Sequence, residues 1–181
     1  MLRLGLRRKL HRLAEGKVFW GWPGSVRRLR RKLETAKFLY FVCRGNKYRS
    51  PFAAQYARMI LPVSVRVESA AYDGPAGDSC PASAIDAART FGIDLAGHVS
   101  AEFSPDFLEE ADAVFVFEPE HLNWMVKNHP RFKEKFFILG LLQSGWSCKL
   151  GDHTGPNILE VRRVYSRITD CLDKVRTKVT S

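Results

Sequence analysis

A doubly wound α/β domain, with a four-stranded parallel sheet and helices on both faces, is the fold class this sequence predicts. Three observations predict it. From Lys37 onward short apolar runs alternate with segments of helical character, the order that builds a parallel sheet through helical crossovers. The first run, "KFLYFV" (37–42), is apolar after its lysine and reads as a strand buried on both sides. The excess positive charge ends where that run begins. Residues 1–37 hold 12 of the 29 Lys and Arg but only 2 of the 19 Asp and Glu, leaving 17 of each sign in the remainder. The chain therefore divides into a basic extension, 1–36, and a charge-balanced domain, 37–181.

Taken in order, "SPFAAQYARMI" is helical, with Ser50 as its N-cap and Pro51 at its first position. "VSVRVESA" alternates as a second strand, and a Gly- and Pro-rich loop covers Asp73 to Pro81. "PASAIDAARTFG" is an alanine-rich helix closed by Gly92; the short helix "SPDFLEEA" leads into the third strand, "DAVFVFE". "PEHLNWMVKNH" is helical, "EKFFIL" is the fourth strand, and after a loop to about Pro156 a long helix, "NILEVRRVYSRITDCLDKV", ends the domain.

Four scattered cysteines, at 43, 80, 148 and 171, with no C-x-x-C pair and no histidine at metal-ligand spacing, read as thiols of a reducing compartment. Neither a disulfide scaffold nor a metal site is expected, and no cofactor is implied. No run approaches the roughly 20 apolar residues of a membrane span, and arginines interrupt the N-terminus, so no secretory signal is read there. The expected location is the cytoplasm.

One stretch carries chemistry. In "FVCRGNKYRSPFAA" (41–54) a strand ends on Cys43, a glycine-containing turn follows, and Arg49 and Ser50 open a helix. Ligands of α/β sheets bind beyond the carboxyl ends of strands, which is where Cys43 stands. Loop N–H groups and a helix N-terminus favour an anion, and a guanidinium fork suits two phosphate oxygens. The same surroundings lower a thiol pKa and so favour the nucleophilic form. Arg44, Gly45, Asn46, Lys47, Tyr48 and Ser50 are the expected substrate-binding set. C-x5-R alone is a weak signal, and a buried core cysteine beside a surface arginine is the plain alternative. The strand before, the helix after and the Gly-Asn turn argue against it.

"VCRGNKYRSPFAA" resembles the signature loop of the low-molecular-weight protein tyrosine phosphatases, V-C-x-G-N-x-C-R-S-P. The likeness continues through "ESAA" (68–71), "AIDAARTFGIDLAGHVS" (84–100), "EEADAVFVFEPEHL" (109–122) and "GDHTGPNILEVRRVY" (151–165). The resemblance implies that Cys43 attacks the phosphate, that Arg49 binds it, and that water hydrolyses a phosphocysteine. It implies that Asn46 and Ser50 shape the loop, that His98 is a hydrogen-bonding residue, and that Asp152 is the general acid. It further implies a phosphotyrosine protein substrate, a bacterial membrane tyrosine kinase in particular. Three departures stand out. Tyr48 replaces the second loop cysteine, Lys47 replaces a small or aliphatic residue, and "DHTG" lacks the proline and aromatic of the D-P-[YF] motif. His153 reads as a solvent-facing neighbour of the acid. Cys148 is weighed as a substitute redox partner against the favoured reading of an inert thiol, and Cys80 and Cys171 read as structural.

The extension repeats leucines at 2, 6, 10 and 13, sets Trp20 and Trp22 close together, and places Val26, Leu29 and Leu33 on one face of a second basic helix. Packing on the domain and contact with an anionic membrane surface fit equally. Nucleic acid is the weaker reading, since no binding fold accompanies the charge. On the membrane reading the protein sits peripherally at the inner surface, and a chain beginning at Thr35 keeps its catalysis. Two rivals to the phosphatase stand. An arsenate reductase needs relay cysteines, which "FVFEPEHL" lacks; a weak phosphoprotein-binding module is separated by turnover of p-nitrophenyl phosphate.

Overall fold

The computed structural model describes residues 23–143, 148–151 and 157–179. Within them the strands are β1 (Phe38–Cys43), β2 (Arg66–Ala71), β3 (Ala113–Val116) and β4 (Phe136–Ile138). The α-helices are α1 (Pro23–Leu33), α2 (Arg49–Ile60), α3 (Ala82–Arg89), α4 (Asp106–Glu110), α5 (Pro119–Asn128) and α6 (Ile158–Val179). Two 3-10 segments that the sequence reading did not anticipate, Pro130–Lys135 and Leu139–Leu142, flank β4.

The sheet order is β2-β1-β3-β4 and every pairing is parallel, as the strand-helix alternation requires. All six residues of β1 are buried, because the strand lies inside the sheet and is covered on both faces. Successive side chains point to opposite faces. Leu39 and Phe41 join a core with Phe52 and Ala57 of α2 and Ile168 and Leu172 of α6. Phe38, Tyr40 and Val42 join another with Leu108 of α4 and Leu122 and Met125 of α5. The alanine-rich faces of α2 and α3 are buried, and the Tyr165 ring of α6 lies 3.8 Å from that of Phe52 at 2°. Small side chains let these helices approach closely enough for the long C-terminal helix to cover them both.

The strand order reverses at β1: β2 lies to one side of it and β3 to the other. The crevice at such a reversal, beyond the carboxyl ends, is the natural ligand site of an open α/β sheet. Cys43 is the last residue of β1, and Glu118 follows the end of β3.

Helix α1 belongs to this packing. Leu29 and Leu33 are fully buried in the core, Arg28 pairs with Glu134 at 2.6 Å, and its guanidinium lies 5.4 Å from the centre of the Phe137 ring. The second basic helix of the extension therefore packs on the domain. A chain beginning at Thr35 would strip two leucines from the core, contrary to the expectation that such a chain stays intact. The leucine stripe at 2–13 and Trp20 and Trp22 lie outside the described residues. Leu29→Ala is expected to cost about 2–5 kcal/mol in chemical denaturation, against at most roughly 0.5 kcal/mol for Arg30→Ala on the exposed face. Equal, small losses for both would show that α1 is not part of the cooperative unit.

Candidate active site

The loop between β1 and α2 is organised by Asn46, which is wholly buried and adopts a left-handed φ of 50°, a conformation asparagine tolerates better than most residues. Its Oδ1 accepts the Ala101 N–H at 3.0 Å. That bond orients the amide, so Nδ2 donates to Ser50 Oγ at 2.8 Å and to Ser69 Oγ at 3.0 Å. Ser50 Oγ lies 3.0 Å from Cys43 Sγ. A thiolate has no proton to give, so when Cys43 is in its nucleophilic form the serine hydroxyl is the donor of this pair. His98 closes the network: Nε2 lies 3.0 Å from the Asn46 carbonyl and 3.1 Å from Oδ1. Both partners are acceptors, which makes Nε2 the protonated nitrogen. Burial lowers the His98 pKa, against its backbone bond to Asn46, and favours the neutral imidazole this arrangement needs.

Ser50 was expected to cap α2 but is its second residue, and no side chain caps this helix end. The hydroxyl is engaged by the thiol and by Asn46 instead. The N-terminus of α2 accordingly faces the loop, where an anion can meet its N–H groups.

Arg49, 3% exposed, donates from one terminal nitrogen to Glu118 Oε2 at 2.6 Å and to the Leu150 carbonyl at 3.1 Å. Glu118 also receives His121 Nε2 at 3.3 Å and Lys149 Nζ at 3.1 Å. Burial pushes the Glu118 carboxyl up, but hydrogen bonds from His121 and Arg49 and the Arg49 charge outweigh it and hold the group far below the ordinary carboxylate range. A carboxylate permanently charged in this way fixes the guanidinium at the cradle. Sequence reasoning missed Glu118. The available signal was a carboxylate just past the carboxyl end of β3, beside the strand that ends in Cys43.

The other residues of the expected set divide between rim and core. Arg44 pairs with Asp73 at 3.0 Å and Lys47 with Asp78 at 2.8 Å, tying the cradle to the loop after β2. Gly45 lies half-buried between them. Tyr48, in the place of the family's second cysteine, turns to the core: its hydroxyl is 3.3 Å from Ser83 Oγ and its carbonyl accepts from Tyr165 at 3.1 Å.

Asp152 and His153 lie outside the described residues. The chain leading to Asp152 does enter the site. Leu150 is fully buried, donates its N–H to the Phe117 carbonyl at 2.9 Å and accepts from Arg49. Upstream, a Cβ on Gly140 would collide with the backbone of Cys148, so only glycine allows the strand exit and this segment to pass. The Cys148 side chain packs on the face of the sheet opposite that of Cys43. Cys80 and Cys171 are buried, and burial pushes each thiol up to about 12.

Comparison with known proteins agrees with this geometry. The chain is 30% identical over 102 residues to a putative low molecular weight protein-tyrosine-phosphatase of Klebsiella pneumoniae, a match spanning 56% of this chain and 70% of the relative. Among solved structures, the arginine phosphatase YwlE of Geobacillus stearothermophilus superposes with a TM-score of 0.73 at 26% identity, over 79% of this chain and 92% of that one. The tyrosine phosphatase AmsI of Erwinia amylovora superposes with a TM-score of 0.74 at 21% identity, over 81% of this chain and 95% of that one. The model of the low molecular weight phosphotyrosine protein phosphatases matches residues 38–180, and the chain belongs to that family.

Proposed function

We propose that this phosphatase hydrolyses phosphotyrosine in proteins through a covalent phosphocysteine on Cys43. The observation that carries the reading is the Ser50 hydroxyl 3.0 Å from Cys43 Sγ at the floor of a loop bounded by Arg49. In the first step the sulfur–phosphorus bond forms as the phosphorus–phenol oxygen bond breaks, and Asp152 gives its proton to the departing oxygen. In the second, water attacks phosphorus, its proton passes to Asp152, and the Cys43 sulfur leaves with the bonding pair. Arg49 and the loop N–H groups balance the charge of the transferring group in both steps, where positioning and charge stabilisation supply most of the acceleration.

A membrane tyrosine kinase fits as the substrate, with the basic residues of 1–36 drawn to the anionic inner surface. Each cation there contributes about 1 kcal/mol. A second reading, phosphoarginine, is favoured by the sequence match to the protein-arginine-phosphatase of Geobacillus stearothermophilus, 27% identical over 141 residues and 95% of that protein, and by the lack of a Phe, Tyr or Trp in the "HTGP" that follows Asp152. Phosphate release from matched phosphotyrosyl and phosphoarginyl peptides separates the two. The expected result is a higher kcat/KM on the tyrosyl peptide, and an Asp152→Asn loss that grows as the leaving phenol becomes less acidic. A preference for the arginyl peptide would replace the substrate, and a loss independent of the leaving group would remove Asp152 from the acid's role.

A further inference from the structure

The two ends of the sheet use their cations differently. At the carboxyl end Arg44 faces Asp73, Lys47 faces Asp78, and Arg49 and Lys149 share Glu118. At the amino end the carboxylates are engaged and cations are left over. Asp112 accepts the Lys37 and Phe38 N–H groups, while Glu109, Glu110 and Glu134 pair with Arg131, Arg66 and Arg28. Among the described residues no ion pair engages Arg27, Arg30, Arg31, Lys32, Lys37 or Lys133, and all but the half-buried Lys32 are exposed. Arg27, Arg30 and Arg31 stand at i, i+3 and i+4 of α1 and so share one face, turned away from the buried Leu29 and Leu33. Burial lowers the Lys135 ammonium and the Lys32 charge lowers it further, so the last turn of α1 adjoins the segment entering β4. In residues 23–37 six cations stand against one carboxylate, Glu34. Helix α1 precedes the residues 38–180 that match the family model, so this face does not come with the shared domain.

We propose that the arginine face of α1 docks the domain on an anionic lipid bilayer with the catalytic mouth held away from the headgroups. The inference deepens the membrane part of the reading above and rests on it. The face offers charge without an apolar anchor: among the described residues the exposed large apolar side chains, Met59, Val63, Val99 and Leu159, all lie on other elements. A tight protein partner needs such anchors in pockets, and a single-stranded nucleic acid needs aromatic platforms. A layer of anionic headgroups needs only cations near its surface. Leu29 and Leu33 fix the helix to the core, so docking orders no new segment. Six residues of β1 separate this end from Cys43, about 20 Å along the strand. A phosphotyrosine close to the bilayer is then out of reach, and one carried on a segment rising from it is not.

The test uses the full chain and vesicles of phosphatidylcholine with about one third phosphatidylglycerol, at low salt. Replacing Arg27, Arg30 and Arg31 together by glutamine is expected to weaken vesicle binding about a hundredfold, roughly fivefold for each charge. Glu34→Gln should strengthen it by roughly fivefold. Hydrolysis of p-nitrophenyl phosphate should stay within about twofold in both variants, since neither touches the cradle. In the second measurement a phosphotyrosyl peptide is anchored to the same vesicles through a Gly/Ser spacer of about 3 or about 20 residues, which reach roughly 10 and 25 Å. The wild type should hydrolyse the long-spacer peptide at least about tenfold faster. Vesicle binding unchanged in the triple variant overturns the docking face, as does tighter binding to single-stranded RNA than to the vesicles. Equal rates on the two spacers overturn the orientation. Wild-type protein that ignores the vesicles overturns the membrane reading itself, whereas failure on a soluble phosphotyrosyl peptide overturns the substrate reading and leaves the vesicle result standing.

Discussion

Replacing Cys43 by serine is expected to reduce phosphate release roughly 10⁴-fold or more while phosphate still binds. The sulfur occupies the end of β1 with a hydroxyl 3.0 Å away, which is the donor of the pair once the sulfur is a thiolate. That arrangement supports a negatively charged nucleophile. It does nothing to deprotonate a neutral alcohol, because the neighbouring group is a hydroxyl, itself no base, and Asn46 donates toward Ser50. A serine there meets a second hydroxyl where it would need a base. The cradle itself, built from Asn46, Arg49 and the α2 N-terminus, does not depend on sulfur. The checking measurements are single-turnover phosphate release and calorimetric binding of inorganic phosphate to the variant. Turnover within about a hundredfold of the wild type would mean that another group attacks phosphorus.

Glu118→Gln is expected to lower kcat/KM about a hundredfold or more, although Glu118 is absent from the sequence signature. Removing its charge leaves the Arg49 guanidinium, 3% exposed, without the carboxylate that fixes it. It also withdraws the partner of His121 and Lys149. Breaking a buried pair from one side costs about 3–5 kcal/mol, and here the loss falls on the residue that must meet phosphate within a fraction of an ångström. The pH dependence follows from the sign of the shift. The Glu118 carboxyl is depressed in the folded state, so its contribution to stability is complete above the ordinary carboxylate value of 4.5 and is lost as pH falls from there through the folded value. The wild type should therefore lose stability below about pH 4.5 more steeply than Glu118→Gln, as followed by denaturant unfolding at several pH values. Parallel acid limbs and an unchanged kcat/KM would show that Glu118 does not hold Arg49.

The parallel sheet was legible because each strand is a short apolar run set off by a helix, and the burial of all six β1 residues is the direct expression of "FLYFVC". The cradle was legible for a related reason: Cys43, Asn46, Arg49 and Ser50 are neighbours in the chain, so spacing alone brings them together. Glu118, Ser69 and Leu150 were not legible, since their roles exist only once β1, β2 and β3 are side by side. Ser50 was misassigned for a physical reason as well. Serine before proline at a helix start reads as a cap, but the hydroxyl is claimed by a thiol seven residues earlier, and local propensity has no access to that competition. The second basic helix misled in the opposite direction. Its arginines dominate its composition, while Leu29 and Leu33 determine where it sits.

The cradle is closed by residues far apart along the chain: Asn46 is met by Ser69 from 23 residues away, by His98 from 52 and by Ala101 from 55, and Arg49 by Glu118 from 69. An unfolded chain has no such convergence, and a loop of a dozen residues cut from it would hold no anion. On the proposed function phosphate is therefore a ligand of the native state alone, and mass action would couple its concentration to the folding equilibrium. At a hundred times its dissociation constant such a ligand adds about 2.7 kcal/mol to stability, a large share of what a domain of this size possesses. On that reading the inorganic ion released by the reaction would also act on the enzyme as a chemical chaperone, depleting the unfolded population in proportion to how fully it occupies the site.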